Sequence, residues 1–107
     1  MIKVYISSPY SEGDPIENVK RQTDMANILI DLGYNPFIPL LSHYIHIENP
    51  KPYFTWLRIL SDWIPACDAL LRLPGNSQGA DFEEHLAKIC DVPVFYSVEE
   101  LIDQFKL

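Results

Sequence analysis

The stretch from Ser77 to Ala87 holds the side chains with the clearest potential for chemistry. Ser77 and Gly79 precede a predicted helix, and the free N–H groups and dipole at a helix start favour a bound anion. Glu83 falls in the first turn of that predicted helix, where the same dipole should keep a carboxylate ionised, as a carboxylate nucleophile requires. Ala87, one turn further on, is small enough to leave space beside that carboxylate. The spacing therefore predicts an anion-binding loop followed by a nucleophilic glutamate.

A second interpretation of the same stretch stays open. Acidic residues favour the first turn of any helix, because they complement its dipole. Asp81, Glu83 and Glu84 could therefore all be solvated charges without a chemical role. His85 is expected on the solvent side of this helix.

A second loop with binding potential follows the first predicted strand. Ile2 to Ser7 is a β-branched and aromatic run, which is typical of a buried strand. Ser8 to Asp14 is dense in turn residues, and Tyr10 is the side chain in it best suited to stack on a ligand. Ligands of open parallel sheets bind beyond the carboxyl ends of the strands. This loop and Pro74 to Gly79 should meet there.

The remaining segments predict the helices and strands that must position the two loops. Asp14 and Pro15 start a helix that Gly33 ends, and its predicted apolar face is Val19, Ala26, Leu29 and Ile30. Further helices are predicted at Tyr53 to Trp63, at Ala80 to Ile89 with an inner stripe of Phe82, Leu86 and Ile89, and from the cap Ser97 to Phe105. Further strands are predicted at Tyr34 to Leu41, which its prolines assign to a sheet edge, at Ala69 to Leu73 and at Val92 to Tyr96, with a loop from Ser42 to Pro52.

The order β-α-β-α-β-α-β-α predicts a single α/β domain over residues 1–107. Strict alternation indicates a doubly wound, mainly parallel sheet of four or five strands, with the first strand central and helices on both faces.

Composition excludes several classes of function. The chain has 15 acidic and 8 basic residues, a net charge of -7, and its only adjacent basic pair is Lys20-Arg21. Nucleic-acid binding and binding to anionic membranes are therefore not expected, because both need basic surface. No apolar run approaches the roughly 20 residues that span a bilayer, and the N-terminus resembles no signal peptide, so a cytoplasmic protein is expected. Cys67 and Cys90 are expected to be reduced thiols.

No metal or cofactor is predicted. His43 and His46 lack a paired cluster of cysteines or acids, so they are interpreted as loop histidines without a metal. The chain has no Walker loop, no Gly-x-Gly-x-x-Gly and no Cys-x-x-Cys. Trp56 and Trp63 could stack on a base, but aromatic residues at helical spacing are more often core or interface.

Three stretches in order resemble the nucleoside 2-deoxyribosyltransferase-like superfamily, which includes deoxynucleoside-monophosphate N-glycosidases, and most of all its small, often phage-borne members. Lys3 to Tyr10 is similar to the family's opening strand and Ser-Pro-aromatic loop. Trp63 to Leu70 is similar to its Ala/Cys-Asp-Ala entry to the third strand. Ser77 and Gly79, followed by Glu83 and Ala87, match its Ser-x-Gly and Glu-x-x-x-Ala patterns.

The resemblance implies a fold, an activity and roles for individual residues. Glu83 would attack the anomeric carbon of a nucleoside or nucleotide, Tyr5 would hydrogen-bond Glu83, and Asp68 would lie at the base-binding side. The implied substrate-binding residues are Ser7, Ser8, Pro9, Tyr10, Asp62, Ser77 and Gly79. A carboxylate would stabilise an oxocarbenium-like centre while an acid assists the leaving base.

The sequence also departs from the family pattern. Leu60 stands where many active members carry an acid, and Asp62, the nearest substitute, is turned by about 200° on a helix. Asp81 replaces a common glycine, and the asparagine that transferases supply across a subunit interface has no clear match. A non-catalytic nucleotide-binding module on the same fold therefore stays open beside the enzyme. So does an interaction domain that pairs with itself, and a homodimer or larger oligomer is expected from the aromatic residues Tyr53, Phe54, Trp56 and Trp63.

Overall fold

The computed structural model describes every residue from Met1 to Leu107, and a four-stranded parallel sheet forms its centre. The strands are β1 (Lys3–Ser7), β2 (Asn35–Phe37), β3 (Ala69–Arg72) and β4 (Val94–Phe95), in the order β2-β1-β3-β4. The first strand is therefore internal, as predicted. Strand order reverses between β1 and β3, which makes the carboxyl ends of these two strands the expected ligand site.

The chain forms five helices: α1 (Pro15–Asp31), α2 (His43–His46), α3 (Tyr53–Ser61), α4 (Gln78–Ile89) and α5 (Val98–Gln104). Of these, α1, α4 and α5 pack on the sheet. Alternation along β1 separates the core into two parts. Val4 and Ile6 pack with buried residues of α1 and α5 on one face, whereas Tyr5 packs with Ala87 of α4 on the other. The predicted α/β fold with helices on both faces is confirmed.

Side-chain caps set the starts of three helices, as their sequences predict. Asp14 accepts a hydrogen bond from the Ile16 backbone N–H at 3.0 Å, ahead of Pro15 at the first helical position. Ser77 caps α4 through the Ala80 N–H, and Ser97 caps α5 through the Glu100 N–H, both at 3.1 Å. The cap at Ser77 places the start of α4 directly beyond the carboxyl end of β3.

The buried stripe of α4 differs from the predicted one. Phe82 and Ile89 are exposed, and Leu86 is only half-buried. The helix instead buries Ala80, Glu83 and Ala87. Two of these are alanines, whose small side chains let α4 lie close to β1 and β3, so Glu83 is carried inward with them. The apolar pattern missed this because the largest hydrophobic residues do not face the sheet.

Three further elements differ from expectation. In α1, Ile30 was predicted on the apolar face but is exposed, whereas Gln22 is fully buried. The second strand is only three residues long, because Pro36 and Pro39 cannot donate to a ladder. The segment predicted as a loop from Ser42 to Pro52 contains α2. Among the helices of the structure, none is long and apolar enough to cross a membrane.

Candidate active site

Glu83 is held by two hydroxyl groups from one face of β1. Tyr5 and Ser7 are two residues apart on that strand, so their side chains point the same way. The Tyr5 hydroxyl donates to Oε2 of Glu83, and the Ser7 Oγ donates to Oε1 at 2.9 Å. Glu83 is only 8% exposed, so these bonds fix its direction. We call Tyr5, Ser7 and Glu83 the carboxylate wall.

The protonation of Glu83 differs from the sequence expectation. Burial raises the pKa of Glu83 to about 7, although the bonds from Tyr5 and Ser7 and the positive charge of Arg72 act in the opposite direction. The helix starts at Gln78, so Glu83 lies in its second turn, where the dipole has already weakened. The expectation that the dipole keeps Glu83 fully ionised is therefore wrong, and the carboxyl group changes charge near neutral pH.

Tyr5 is a permanent donor in this arrangement. Burial, followed by the charge of Glu83, raises the pKa of the Tyr5 phenol well above its usual value. The hydroxyl therefore stays protonated and can always donate to Glu83. Stacking on Phe37, with ring centroids 5.3 Å apart, holds the Tyr5 ring in place.

A cavity of about 520 Å³ opens in front of Glu83. Its lining is mainly polar and aromatic: Ser8, Tyr10, Ser11, Glu12, Gln22, Pro39, Leu40, Ser42, His43, His46, Lys51, Tyr53, Trp56, Leu57, Leu60, Ser77, Gln78, Gly79, Ala80 and Glu83. Its volume falls in the range of small-molecule sites, and directed polar groups beside aromatic rings can orient a ligand there.

Gln22, for which no sequence motif indicates a role, holds together two segments that line the cavity. Its amide nitrogen donates to the Ile6 carbonyl at 3.2 Å and to the Ser8 Oγ at 2.7 Å. Its amide oxygen accepts from the Leu40 N–H at 2.8 Å. A fully buried side chain thus ties the loop after β1 to the turn after β2. In the sequence, the sign of this role is a glutamine placed among the residues of the buried face of α1.

Another part of the cavity lining comes from α2 and α3. We call His43, His46, Tyr53 and Trp56 the aromatic wall. The Tyr10 hydroxyl lies 2.6 Å from Nδ1 of His43, and the Trp56 Nε1 lies 2.8 Å from Nδ1 of His46. Trp56 was expected in the core or an interface, but it lines the cavity.

Tyr53 brings the aromatic wall close to the start of α4. A Cβ atom at Gly79 would lie 2.8 Å from the Tyr53 Oη, so only glycine fits here without displacing that side chain. Burial, with a further contribution from the charge of Glu83, raises the pKa of Tyr53. Tyr53 therefore links the aromatic wall to the start of α4, the helix that carries Glu83.

Arg72 braces the loop beside Glu83 from the end of β3. Its guanidinium donates to the carbonyl oxygens of Leu73 at 2.5 Å and Gly75 at 2.8 Å. It also pairs with Asp81 at 3.2 Å and with Glu84 at 3.6 Å. This buried cation was missed, because one arginine in an apolar strand gives no motif.

The structure brings most of the predicted site residues together. Ser8, Tyr10, Ser77, Gly79 and Glu83 line the cavity, while Tyr5 and Ser7 support Glu83 from behind. Pro9 is buried and packs against Gly75, so it shapes the loops without reaching the cavity.

Asp68 and Asp62 are not brought to the site. Asp68 is exposed at the amino ends of the strands, where its Oδ2 accepts from the Lys3 N–H at 2.8 Å and its own N–H bonds the Lys3 carbonyl. It therefore ties β1 to β3 at the edge opposite the cavity, and the proposed base-side position is wrong. Asp62 is exposed at the end of α3, whereas Leu60 lines the cavity.

No cluster of three or more potential metal ligands is present. His43 and His46 instead form hydrogen bonds within the cavity wall.

Comparisons with known proteins agree with this architecture. The model of a family described as "Domain of unknown function (DUF4406)" matches residues 2–96. This is most of the chain, so the chain belongs to that family. No curated protein matches the sequence significantly.

Among solved structures, the chain is similar to a 2-deoxyribosyltransferase from the psychrotolerant bacterium Bacillus psychrosaccharolyticus, described as a biocatalyst for the synthesis of antiviral and antitumoral nucleosides. The TM-score is 0.59 at 22% sequence identity, over 86% of this chain and 69% of that chain. The resemblance predicted from the sequence is confirmed at the level of the fold.

Proposed function

We propose that this member of the DUF4406 family cleaves or exchanges the N-glycosidic bond of a (deoxy)nucleoside or its 5′-monophosphate, with Glu83 as the nucleophile. The observation that carries the proposal is the buried Glu83 carboxyl, which lines a cavity of about 520 Å³ and is oriented by hydrogen bonds from Tyr5 and Ser7. The likeness of the fold to a nucleoside-processing enzyme supports it.

The reaction needs two displacements at the anomeric carbon. One Glu83 oxygen attacks that carbon while its bond to the base nitrogen breaks, and the electron pair leaves with the base. The product is a glycosyl ester of Glu83. Water, or a second base, then attacks the same carbon and releases the carboxylate, giving hydrolysis or exchange respectively. Two displacements retain the configuration of the sugar.

The carboxylate wall favours the transition state over the bound substrate. Positive charge develops on the sugar ring as the base departs, directly opposite Glu83. Attraction between the two therefore grows along the reaction, which is what lowers a barrier. Each Glu83 oxygen accepts one hydroxyl bond from β1, so the group keeps lone pairs for attack without having to reorient.

The leaving base also needs a proton, and the family's usual acid position holds Leu60. Several groups that line the cavity can donate one: Glu12, Tyr10, His43 and Tyr53. Acid assistance is therefore assigned to these four side chains rather than to Asp68, which lies at the other edge of the sheet.

The test is to incubate the protein with a panel of nucleosides and 5′-monophosphates and to measure free base. Glu83→Ala should lower base release by about three orders of magnitude or more, as loss of a nucleophile does. Glu99→Ala is the matched control, because Glu99 is exposed on α5. Glu84 is unsuitable, since it bonds Tyr96 and pairs with Lys88 and Arg72. Unchanged turnover in Glu83→Ala would reject the assignment.

A non-catalytic nucleotide-binding module is the second candidate. The observation that favours it is Leu60 in the cavity lining, together with Asp62 and Asp68 outside it. On this alternative the protein binds a nucleotide but releases no base from any substrate. Glu83→Ala would then change only the affinity for the nucleotide.

A homodimer or larger oligomer is part of the proposal. Tyr53, Phe54 and Trp63 are 54%, 77% and 55% exposed, which leaves aromatic surface for a second copy to cover. Sedimentation at micromolar concentration should give at least the mass of a dimer, and a monomer mass would refute this part.

A further inference from the structure

The hydrogen bonds of His46 determine where its ring carries hydrogen. Its Nδ1 lies 2.8 Å from the Trp56 Nε1 and 3.2 Å from the Lys51 backbone nitrogen. An indole N–H and a backbone N–H can only donate. Nδ1 must therefore present its lone pair to both, and the one ring hydrogen is on Nε2. The arrangement exists only with a neutral imidazole.

This nitrogen joins the two halves of the aromatic wall. His46 is the last residue of α2, and Trp56 lies on α3. The bond from Lys51 closes the loop between these helices, and the bond from Trp56 sets the orientation of the indole ring. The two rings meet edge to face, with centroids 6.0 Å apart. Both side chains line the cavity.

We propose that His46 is a positioning residue: its neutral ring fixes Trp56 as the flat surface against which a planar ligand group packs, and protonation of Nδ1 releases that surface. A proton on Nδ1 removes the acceptor for both bonds and points an N–H at two other N–H groups. The cavity therefore takes up its ligand less well in acid. Only the identification of the planar group as a nucleobase rests on the proposed function.

No acidic side chain compensates for this loss. The structure contains no ion pair between His46 and a carboxylate. The charged or titratable residues on the surrounding elements are His43 and Tyr44 of α2, Glu48 and Lys51 of the loop, Tyr53 and Arg58 of α3, and Tyr10, Glu12 and Glu83 of the cavity lining. Of these, only Lys51 bonds the His46 ring, and it does so through its backbone. Glu83 itself changes charge near pH 7, so the experiment must hold its charge constant.

The first test needs no ligand. The chain has two tryptophans, so Trp63→Phe leaves Trp56 as the sole indole and keeps an aromatic ring against Phe37. Glu83→Gln is added to remove that titration. Emission of Trp56 should change when the solution is acidified, because a proton on Nδ1 removes the acceptor of the indole N–H. Adding His46→Asn should abolish the change, because the Asn amide oxygen occupies nearly the place of Nδ1 and does not titrate.

A pH-dependent emission that persists with His46→Asn would overturn the proposal. So would a constant emission in the parent variant. Both outcomes are independent of whether the protein acts on nucleosides, so this test separates the inference from the proposed function.

The second test measures a ligand. Binding of the best nucleoside or nucleotide from the panel should weaken about fivefold to tenfold in His46→Ala at pH 7.5, as loss of one or two hydrogen bonds predicts. His46→Asn should restore it. The loss should fall on KM and leave kcat nearly unchanged, since the carboxylate wall is untouched. His85→Ala, at an exposed position on α4, is the control. Equal weakening by Ala and Asn would show that the acceptor is not what matters.

Discussion

The two walls of the cavity are held in different ways. In the carboxylate wall, buried side chains of β1 and α4 bond one another directly, and Glu83 is only 8% exposed. The aromatic wall stands on two short helices, and Tyr53 in it is 54% exposed. The carboxylate wall therefore holds a charged group in a fixed position, whereas an exposed side chain of the aromatic wall such as Tyr53 can move. Changes to the first should affect stability and ionisation, and changes to the second should affect affinity.

The largest expected effect comes from the cation that braces the carboxylate wall. Arg72→Met should lower the free energy of unfolding by about 2–3 kcal/mol, because two loop carbonyls lose their donor and Glu84 loses a buried partner. The measurement is chemical denaturation. Arg58→Met is the control, since Arg58 is exposed on the aromatic side and forms no ion pair. Equal losses of unfolding free energy in Arg72→Met and Arg58→Met would contradict the difference between the two walls.

Ionised Glu83 should lower the free energy of unfolding at high pH. Burial raises its pKa from the usual 4.5 to about 7, so the folded state holds the proton more tightly than the unfolded chain does. Stability from this group is therefore complete below about pH 4.5 and is lost as the pH rises through 7. Glu83→Gln carries no charge and should be more stable than the parent by about 1–3 kcal/mol at about pH 8. Below about pH 4 the two should be equal. A gain that is the same at both pH values would show that the charge is not its source.

The same ionisation should govern the rate of base release. Only ionised Glu83 can attack, so the rate should rise with pH around 7. Tyr5→Phe removes a bond that favours the charged form, so the rise should move to higher pH and activity at pH 7 should fall about tenfold. Tyr34→Phe removes another buried hydroxyl, one that bonds the Phe105 carbonyl, and should leave the profile in place. A profile unmoved by Tyr5→Phe would mean that this bond does not set the ionisation.

The Tyr5–Glu83 bond could be predicted from the sequence, because the resemblance implied it and the alternating topology brings α4 across the first strand. Ser7 was expected to bind substrate, although alternation along the strand puts it on the same face as Tyr5. The pKa of Glu83 could not be predicted in this way. It depends on which face of α4 is buried, and that face is chosen by Ala80 and Ala87 rather than by the larger Phe82 and Ile89.

The error at Asp68 and the missed aromatic wall have related causes. Asp68 stands next to a strand, but only the strand direction shows that it lies at the amino edge, away from the cavity. The His46–Trp56 bond joins two helices through a loop without a distinctive motif. Such contacts depend on the packing of α2 against α3, so residue types and spacing give no signal for them.

The smallest expected effect lies at Gly79, at the start of α4 and beside Tyr53 of the aromatic wall. A methyl group there would lie 2.8 Å from the Tyr53 Oη, which is the end of a half-exposed side chain and can move aside. Gly79→Ala should therefore keep or slightly raise stability, by up to about 0.5–1 kcal/mol, because alanine suits a helix better than glycine. Ligand affinity should fall a few-fold as Tyr53 is displaced, while the rate at saturation and the pH profile stay the same. The double variant with Gly79→Ala and Tyr53→Phe lacks the clashing oxygen, so it should bind the ligand as tightly as Tyr53→Phe alone. Calorimetry measures the ligand affinity of the parent, both single variants and the double variant. A loss in saturated rate with Gly79→Ala would show that the aromatic wall also positions Glu83, and that the two walls are not separable.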